Sequence, residues 1–393
     1  MPAPFLTLVL LAVLGATGLP GAASAAVADF WSTPRRGANL FNARESGERL
    51  RAAAAAGVEW VRLAPDKWEG EGRDFLMGDA DSFTAIPPRD LARLRAVLDS
   101  AEVAGVKVAL VMLSLPGARW RQHNGDRSDF RLYREERALA AAERLWGGVA
   151  RSLRGHPALV AYDLLNEPHP DRARDVAPGR LAEVQRRLLA AVRAADPDVP
   201  VILEGAAFAS PAGIEAMAVP DDPRVLYSFH FYEPWAYVNH RQAGRWRYPG
   251  DLPADDDTTR LERWDAARLE AELAPVVAWQ ARHGVPSSRV VCAEFGVPRT
   301  HPGAGAWLAD VLRACERRGW HWAFYAFRED TWHAMDYELG AGALPRGYWR
   351  AVEAGRPPTL PRGPNPLWDV IRRGLAGDTT AAGRPGVLGG RAR

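Results

Sequence analysis

One short stretch decides the fold: Leu164-Leu165-Asn166-Glu167-Pro168-His169. The apolar run before it, residues 157–163, is short and rich in strand-forming residues, which is typical of a buried strand. Pro168 cannot continue a central strand, so a carboxamide and a carboxylate stand where the strand ends. A second carboxylate has the same position in Val290-Val291-Cys292-Ala293-Glu294-Phe295-Gly296. We therefore expect Glu167 and Glu294 to face each other across a closed or doubly wound sheet.

Short apolar runs alternate with amphipathic helical stretches along the chain. The predicted strands are 37–42, 58–64, 106–115, 157–163, 201–207, 225–232, the stretch that carries Glu294, and 320–327. The predicted helices are 45–56, 89–104, 135–154, 180–195, 265–283, 304–318 and 366–375, with a short one near 213–218. Eight strand-then-helix units predict an α/β fold, a single (β/α)8 TIM barrel with long loops at the C-terminal face of the strands. The alternative, an open doubly wound sheet, expects a Gly-rich phosphate loop after strand 1, where the sequence reads Asn39-Leu40-Phe41-Asn42-Ala43-Arg44.

The two ends of the 393-residue chain have their own composition. An apolar run, 5–19, precedes Ala23-Ser24-Ala25, which has the small-x-small form of a signal-peptidase site. We expect 1–25 to be a signal peptide, 26–376 the barrel domain, and 377–393, rich in Gly, Ala and Arg, a disordered tail. The protein would then be secreted or periplasmic, without membrane contact after cleavage. The alternative is that the segment is an uncleaved membrane anchor, because the positively charged region that usually begins a signal peptide is missing. Against an anchor, a membrane span needs about 20 apolar residues, and the run 5–19 is shorter.

Charge and cysteine content exclude some partners and chemistries. The formal charge is +2 and no basic block stands out, so nothing indicates a nucleic-acid partner. Separately, we expect the protein to be a monomer. The two cysteines, Cys292 and Cys315, are expected to be free thiols without a catalytic role. Cys292 has the strand parity of Glu294 and should point into the barrel, whereas Cys315 lies on the following helix outside it.

Function in a barrel gathers at the carboxyl ends of the strands. Those ends carry Arg62, Asn166, Glu167, His230, Tyr232 and Glu294. Strand parity places Arg62 on the same face as Trp60, and His230 on the same face as Tyr232. Asn166 and Glu167 are adjacent, so a local irregularity must aim both side chains inward.

These residues carry a family resemblance. Its motifs are Arg62 on the second strand, Leu165-Asn166-Glu167-Pro168 on the fourth, His230-Phe231-Tyr232 on the sixth and Ala293-Glu294-Phe295-Gly296 on the seventh. In this order they resemble the retaining β-glycosidases of clan A, most closely glycoside hydrolase family 5, the cellulase family. The resemblance implies Glu167 as the general acid/base and Glu294 as the nucleophile.

The chemistry of glycosidic-bond cleavage explains these residue types. One carboxyl must donate a proton to the leaving oxygen, and the other must be ionised to attack C1. We expect Arg62 and the Tyr232 hydroxyl to keep Glu294 ionised. Asn166 should bind the sugar 2-hydroxyl, and His230 should orient the site or the sugar. This mechanism requires no metal and no cofactor.

Two positions depart from the family pattern. Ser114 stands at the end of the third strand, where family members often have a His, and His123 or Trp120 in the following loop are candidates to replace it. Family members have a tryptophan on the eighth strand that lies under the cleaved sugar, and Tyr325 aligns with it. Trp332 is the other candidate for this stacking role. Aromatic residues also crowd the predicted C-terminal loops, and we expect about half of them only to pack: Trp68, Trp120, Trp235, Tyr237, Trp246, Tyr248, Trp264 and Trp332.

Other barrel chemistries fit less well. A Schiff-base enzyme needs a lysine at a strand's carboxyl end, but Lys67 lies in a loop and Lys107 starts a strand. A metal-dependent hydrolase favours clustered His ligands, although spacing alone leaves magnesium between Glu167 and Glu294 open. A non-catalytic carbohydrate-binding barrel is a further alternative. We expect a retaining endo-β-glycanase acting on β-linked polysaccharide or oligosaccharide, with β-1,4-glucan first and mannan, β-1,3-glucan or a glycolipid headgroup as alternatives.

Overall fold

A computed structural model describes residues 29–41, 46–239, 244–254, 257–329, 334–342, 345–353, 356 and 358–378. The predicted signal peptide, Trp332 and the tail from 379 onward lie outside these residues. The expectations about them therefore stay predictions.

Eight parallel strands close into a barrel. They are β1 (Arg36–Leu40), β2 (Trp60–Leu63), β3 (Lys107–Val111), β4 (Leu159–Asp163), β5 (Val201–Glu204), β6 (Val225–Phe231), β9 (Val290–Phe295) and β10 (His321–Phe324). Their order around the barrel is β1-β10-β9-β6-β5-β4-β3-β2, and β1 pairs with β10 to close it. The TIM-barrel prediction is confirmed. The remaining strands, β7 (Gly250–Ala254) and β8 (Asp257–Trp264), form an antiparallel hairpin after β6 that the sequence analysis missed.

Helices cover the outside of the barrel. The main ones are α1 (Ser46–Ala55), α2 (Pro88–Ala104), α3 (Glu136–Leu153), α4 (Arg180–Ala195), α5 (Ala266–Glu272), α6 (Ala274–His283), α7 (Ala304–Arg318) and α8 (Pro366–Leu375). Short helical turns occur at Arg131–Arg134, Trp235–Val238 and Tyr348–Glu353. The predicted helix 265–283 is divided at Leu273 because Pro275 has no N–H to continue the hydrogen-bond ladder. Among the described residues, no helix is both long and apolar enough to cross a membrane.

The barrel interior is filled by its own side-chain cluster. This cluster consists of Trp31, Trp60, Ala109, Val160, Ala161, Ile202, Leu226, Val291, Ala293 and Ala323. Trp60 supplies the bulk, and Gly37 on the neighbouring strand makes room for it, since a Cβ there would lie 2.6 Å from the indole. The predicted inward orientation of Trp60 is confirmed. Below the site the interior is therefore a packed core.

A bulge in β9 overturns the predicted orientation of Cys292. Cys292 pairs with Phe229 but Glu294 pairs with His230, so Ala293 is an extra residue on β9. Cys292 consequently points into the helix layer, whereas Glu294 still points inward. There Cys292 lies beside Cys315, and burial together with a hydrogen bond to Cys315 raises the pKa of its thiol. Both cysteines are free, as predicted.

An ion-pair cluster centred on the buried Arg119 holds the loops after β2 and β3 together. Arg119 in the β3 loop pairs with Asp74 at 2.8 Å, with Asp79 at 2.9 Å and with Asp81 at 2.7 Å, all in the β2 loop. Arg119 is only 3% exposed. The cluster fixes the wall of the C-terminal face next to the strand ends discussed below.

Candidate active site

Arg62 at the end of β2 is the centre of the site. Its side chain is fully buried, and its five N–H groups have five acceptors at the ends of four strands, since Asp163 and Asn166 both belong to the end of β4. These acceptors are Asp163 Oδ2 at 2.7 Å, Glu204 Oε1 at 2.6 Å, Asn166 Oδ1 at 2.9 Å, Asn39 Oδ1 at 3.3 Å, and Glu294 Oε1. Burial alone would lower the pKa of Arg62, but the charges of Asp163, Glu204 and Glu294 outweigh it and raise the pKa. Arg62 is therefore a permanent cation that aligns the polar groups around it.

Glu294 is held from two sides. Arg62 donates to Oε1, and the Tyr232 hydroxyl donates to Oε2 at 2.9 Å. Only 5% of Glu294 is exposed. The two donors hold one oxygen each and leave little freedom to the carboxylate. The structure thus brings Arg62, Tyr232 and Glu294 together.

Glu167 lies opposite and is held differently. Its backbone has a φ of 48°, an unusual value for a residue with a side chain, and this turn aims it inward beside Asn166. Its Oε1 is 3.0 Å from His230 Nδ1. Burial raises the pKa of Glu167 above its ordinary value, and the charges of Glu294 and Glu204 act in the same direction, against the hydrogen bond and charge of His230. The predicted irregularity at the strand end is confirmed.

The two carboxyls are close to each other. One oxygen of Glu167, one oxygen of Glu294 and a ring nitrogen of His230 lie within 4.8 Å of one another. An oxygen of each carboxyl within 4.8 Å of the other is compatible with the 5–5.5 Å between the two carboxyl groups of retaining glycosidases.

The same three side chains could hold a metal ion by distance alone. Burial alone would lower the pKa of His230, but the charges of Glu204 and Glu294 outweigh it and raise the pKa to about 10. A protonated imidazole has no lone pair for a metal. Without a metal, the charges of the surrounding acids therefore favour the protonated imidazole. A second such cluster, Asp99, Glu102 and His156, lies elsewhere with both acids exposed.

A pocket opens beside Glu167, between the β3 and β4 loops. Trp120, Phe130 and His169 line it together with Asn166 and Glu167. Ser114 accepts a hydrogen bond from the Trp120 main-chain N–H at 3.1 Å, so the residue that replaces the expected His positions Trp120 instead. Of the two candidates in this loop, the structure brings Trp120 to the acids.

His123 and Tyr325 have contrasting surroundings. Burial lowers the pKa of the His123 imidazole, whose charged neighbours include Asp74 and Lys67 in the β2 loop, and His123 is not part of the pocket wall. Tyr325 follows β10 and is buried at the site. Burial, followed by the charges of Glu329, Glu294 and Glu167, raises the pKa of its phenol.

The loop aromatics divide into two groups. Trp68, Tyr237, Tyr248 and Trp264 are buried, as is usual for rings that pack a loop. Trp120 and Trp246 are partly accessible, and Trp235 is 48% exposed. Four of the seven described rings are therefore buried, and the expectation that about half of them only pack stays a prediction.

Three site residues were missed in the sequence: Asn39, Asp163 and Glu204. Each ends a buried strand, as Glu294 does, and that position was the available signal. Burial alone would raise the pKa of Glu204, but the charges of His230 and Arg62 lower it to about 2. Burial and the charge of Glu204 raise the pKa of Asp163 to about 8, despite its contact with Arg62.

The chain is similar to several known endoglucanases. Endoglucanase H of Acetivibrio thermocellus is 23% identical over 155 residues, which is 39% of this chain but only 15% of that protein. Endoglucanase C of the same organism is 21% identical over 63% of this chain and 73% of its own length. The structure of Thermotoga maritima Cel5A in complex with cellobiose superposes with a TM-score of 0.60 at 18% identity, over 88% of this chain and 99% of that one. At this identity the superposition shows the shared fold alone.

A match to a protein-family model extends from before the first barrel strand to beyond the last. The family model "Cellulase (glycosyl hydrolase family 5)" matches residues 26–331, well over half of the chain, and this range includes Arg62, Glu167 and Glu294. The chain therefore belongs to the cellulase family, glycosyl hydrolase family 5.

Proposed function

We propose that this protein hydrolyses β-glycosidic bonds with retention of configuration, with Glu294 as the nucleophile and Glu167 as the acid/base. The observation that carries the proposal is that the two carboxyls, in unlike environments, each have an oxygen within 4.8 Å of the other. Glu294 accepts hydrogen bonds from Arg62 and Tyr232, which suits an attacking carboxylate. Glu167 has a raised pKa, which suits a proton donor.

The reaction proceeds in two displacements. First, Glu294 attacks C1 while Glu167 gives its proton to the glycosidic oxygen, so a glycosyl ester forms and the alcohol leaves. Then water attacks C1, Glu167 takes a proton from it, and the ester bond to Glu294 breaks. Each carboxyl ends in its starting state, so the cycle needs only water as co-reactant.

The surrounding residues bind the sugar. Arg62 holds the Asn166 amide oxygen, which leaves the amide N–H groups to bind the 2-hydroxyl in the transition state. Tyr325, buried beside both acids, serves as the platform for the cleaved sugar. His230 contacts Glu167 at 3.0 Å and lies 3.8 Å from Glu294, so it orients the pair.

The substrate that we propose is a β-1,4-linked glucan cut internally by a monomeric, exported enzyme. The endoglucanase names of the relatives and the accessible Trp120, Trp235 and Trp246 support it. Mannan is the strongest alternative, because Thermotoga maritima Cel5A has also been solved with mannotriose. Incubation with a panel of β-glucans, mannan and glycolipids, with sizing of the products, tests the assignment. Intact binding without sugar release from any substrate would instead favour a carbohydrate-binding barrel.

We expect azide to restore activity to Glu167→Ala on 2,4-dinitrophenyl β-cellobioside, with a β-glycosyl azide as the product. This leaving group needs no proton, so the glycosyl ester still forms, and the space left by the side chain admits azide to C1. NMR of the product measures the configuration. The matched control is Glu294→Ala, in which azide enters from the opposite face and gives the α-azide. Absence of rescue in Glu167→Ala would remove Glu167 from the acid/base role.

We expect kcat/KM for methyl β-cellobioside to fall as pH rises through the pKa of Glu167, because the proton that the methoxide leaving group needs is lost. Since this pKa is raised above 4.5, the decline lies above the usual range of glutamate. With 2,4-dinitrophenyl β-cellobioside the decline should be absent or much weaker. If kcat/KM fell with rising pH in the same way for both substrates, Glu167 would not be the general acid.

A further inference from the structure

Glu204, at the end of β5, has three polar neighbours in the site, two through hydrogen bonds and one through an ion-pair contact, although none of the family motifs named above contains it. Its Oε1 lies 2.6 Å from Arg62 Nη2 and 3.2 Å from His230 Nε2. Its Oε2 accepts the main-chain N–H of Glu167 at 2.6 Å. The side chain is 1% exposed, so these contacts take place away from water. One carboxylate therefore touches the cation that aligns the site, the imidazole beside Glu167, and the Glu167 backbone itself.

The backbone of Glu167 needs such support. A residue with a Cβ rarely adopts a φ of 48°, and left-handed conformations of this kind persist only where the surroundings impose them. The bond from the Glu167 N–H to Glu204 acts on the strained residue directly. With an extended backbone at 167, the side chain would leave the face on which His230 and Glu294 lie.

The loop after β5 adds two further contacts to the same turn. The Phe208 N–H donates to the Pro168 carbonyl at 3.3 Å, and the Phe208 ring stacks on His169 with centroids 4.3 Å apart. His169 Nδ1 is in turn 2.8 Å from the Glu167 carbonyl oxygen. Ala207, Phe208 and Ala209 all have positive φ values, so this loop is strained as well. The two strained segments lie at adjacent strand ends and contact each other, so each restrains the conformation of the other.

We propose that Glu204 is a positioning residue that holds the turn of Glu167 and thereby aims its proton at the leaving oxygen. This inference rests on the proposed function. Glu204 touches no substrate; it acts through the Glu167 main chain and through His230.

Because the two oxygens of Glu204 have different partners, one substitution can remove the bond to the Glu167 N–H and keep the bond to Arg62. In Glu204→Gln the amide oxygen should face Arg62, because a guanidinium repels an amide N–H. The amide nitrogen then faces the Glu167 N–H, donor against donor, so this bond is lost while the volume is kept. Gln185→Met on α4 is the matched control: Gln185 donates to the Glu204 main-chain carbonyl at 2.7 Å, so its loss perturbs the same strand end without touching the carboxylate.

The test compares kcat/KM for methyl β-cellobioside, which needs a proton on its leaving group, with kcat/KM for 2,4-dinitrophenyl β-cellobioside, which does not. Misplacing a general acid removes part of a contribution of about 10²–10⁴-fold. We expect Glu204→Gln to lose at least about 10-fold more on the methyl glycoside than on the aryl glycoside. Gln185→Met should lose the same factor on both. Equal losses for Glu204→Gln, or none, would overturn the positioning role.

A second variant and a crystal structure test the positioning role of Glu204 independently. If Glu204→Gln does not fold, Glu204→Asp, which is one methylene too short to reach all three neighbours, should show the same bias between substrates. If the wild-type protein cleaves neither glycoside, the proposed function fails. A crystal structure of Glu204→Gln then decides the positioning role: an extended Glu167 without its contact to His230 supports it, and an unchanged turn refutes it.

Discussion

Replacing Glu294 with Gln is expected to lower kcat by at least about 10⁴-fold, in the range seen when other enzymes lose a nucleophile. An amide cannot form the glycosyl ester, although its shape matches that of the carboxylate. The Tyr232 hydroxyl can rotate to accept a hydrogen bond from the new amide, so the site should stay assembled. Turnover of 2,4-dinitrophenyl β-cellobioside measures the loss.

The matched control for this variant is Glu316→Gln. Glu316 accepts hydrogen bonds from Arg36 and Trp322 at the opposite end of the barrel, so its isosteric replacement should leave kcat nearly unchanged. A 2-deoxy-2-fluoro glycoside with an activated leaving group should add one glycosyl mass to the wild-type protein and none to Glu294→Gln. Retention of more than a few per cent of wild-type activity by Glu294→Gln would show that another group is the nucleophile.

Replacing Arg62 with Met is expected to lower the free energy of unfolding by about 3–5 kcal/mol, the usual result of removing one partner from a buried ion pair. The variant leaves Asp163, Glu204 and Glu294 without their shared cation, and none of these side chains is more than 6% exposed. Urea denaturation at pH 7 measures the change. Arg36→Met is the comparison, because the Arg36–Glu316 pair is partly exposed and should contribute about 1 kcal/mol or less.

The loss in Arg62→Met should shrink as the pH is lowered. The charge of Arg62 lowers the folded-state pKa of Asp163 and of Glu204, so without it the folded variant binds more protons than the folded wild-type protein. The stability of the variant relative to the wild-type protein therefore falls as pH rises and recovers as pH falls. A loss below about 1 kcal/mol that does not depend on pH would show that Arg62 is not the electrostatic centre of the site.

Much of the fold was predictable because its signals are local. The alternation of apolar runs and amphipathic stretches predicted all eight barrel strands, and the helices Arg180–Ala195, Ala304–Arg318 and Pro366–Leu375 agree with their predicted bounds. The hairpin β7–β8 was missed because it lies in a long loop, where no periodic pattern distinguished it. The predicted helix 265–283 is too long because Pro275 interrupts the hydrogen-bond ladder within it.

The site was predictable in part. Arg62, Asn166, Glu167, His230, Tyr232 and Glu294 meet as expected, since parallel strands bring their carboxyl ends to one face of a barrel. Glu204 was not found, although Val201-Ile202-Leu203-Glu204 has the same form as the strand that carries Glu294. Its importance depends on what lies across the barrel, and a strand pattern contains no such information.

By itself, the sequence determined the barrel, the family and the two carboxyls at the strand ends, because period, residue type and chain order are properties of short segments. Only the tertiary structure decided that one arginine serves three acids, that a bulge separates Cys292 from Glu294, and that Glu167 adopts a left-handed turn held by Glu204. These features arise where side chains from distant strands compete for the same small space. Their geometry is set by that competition and not by any local preference of the chain.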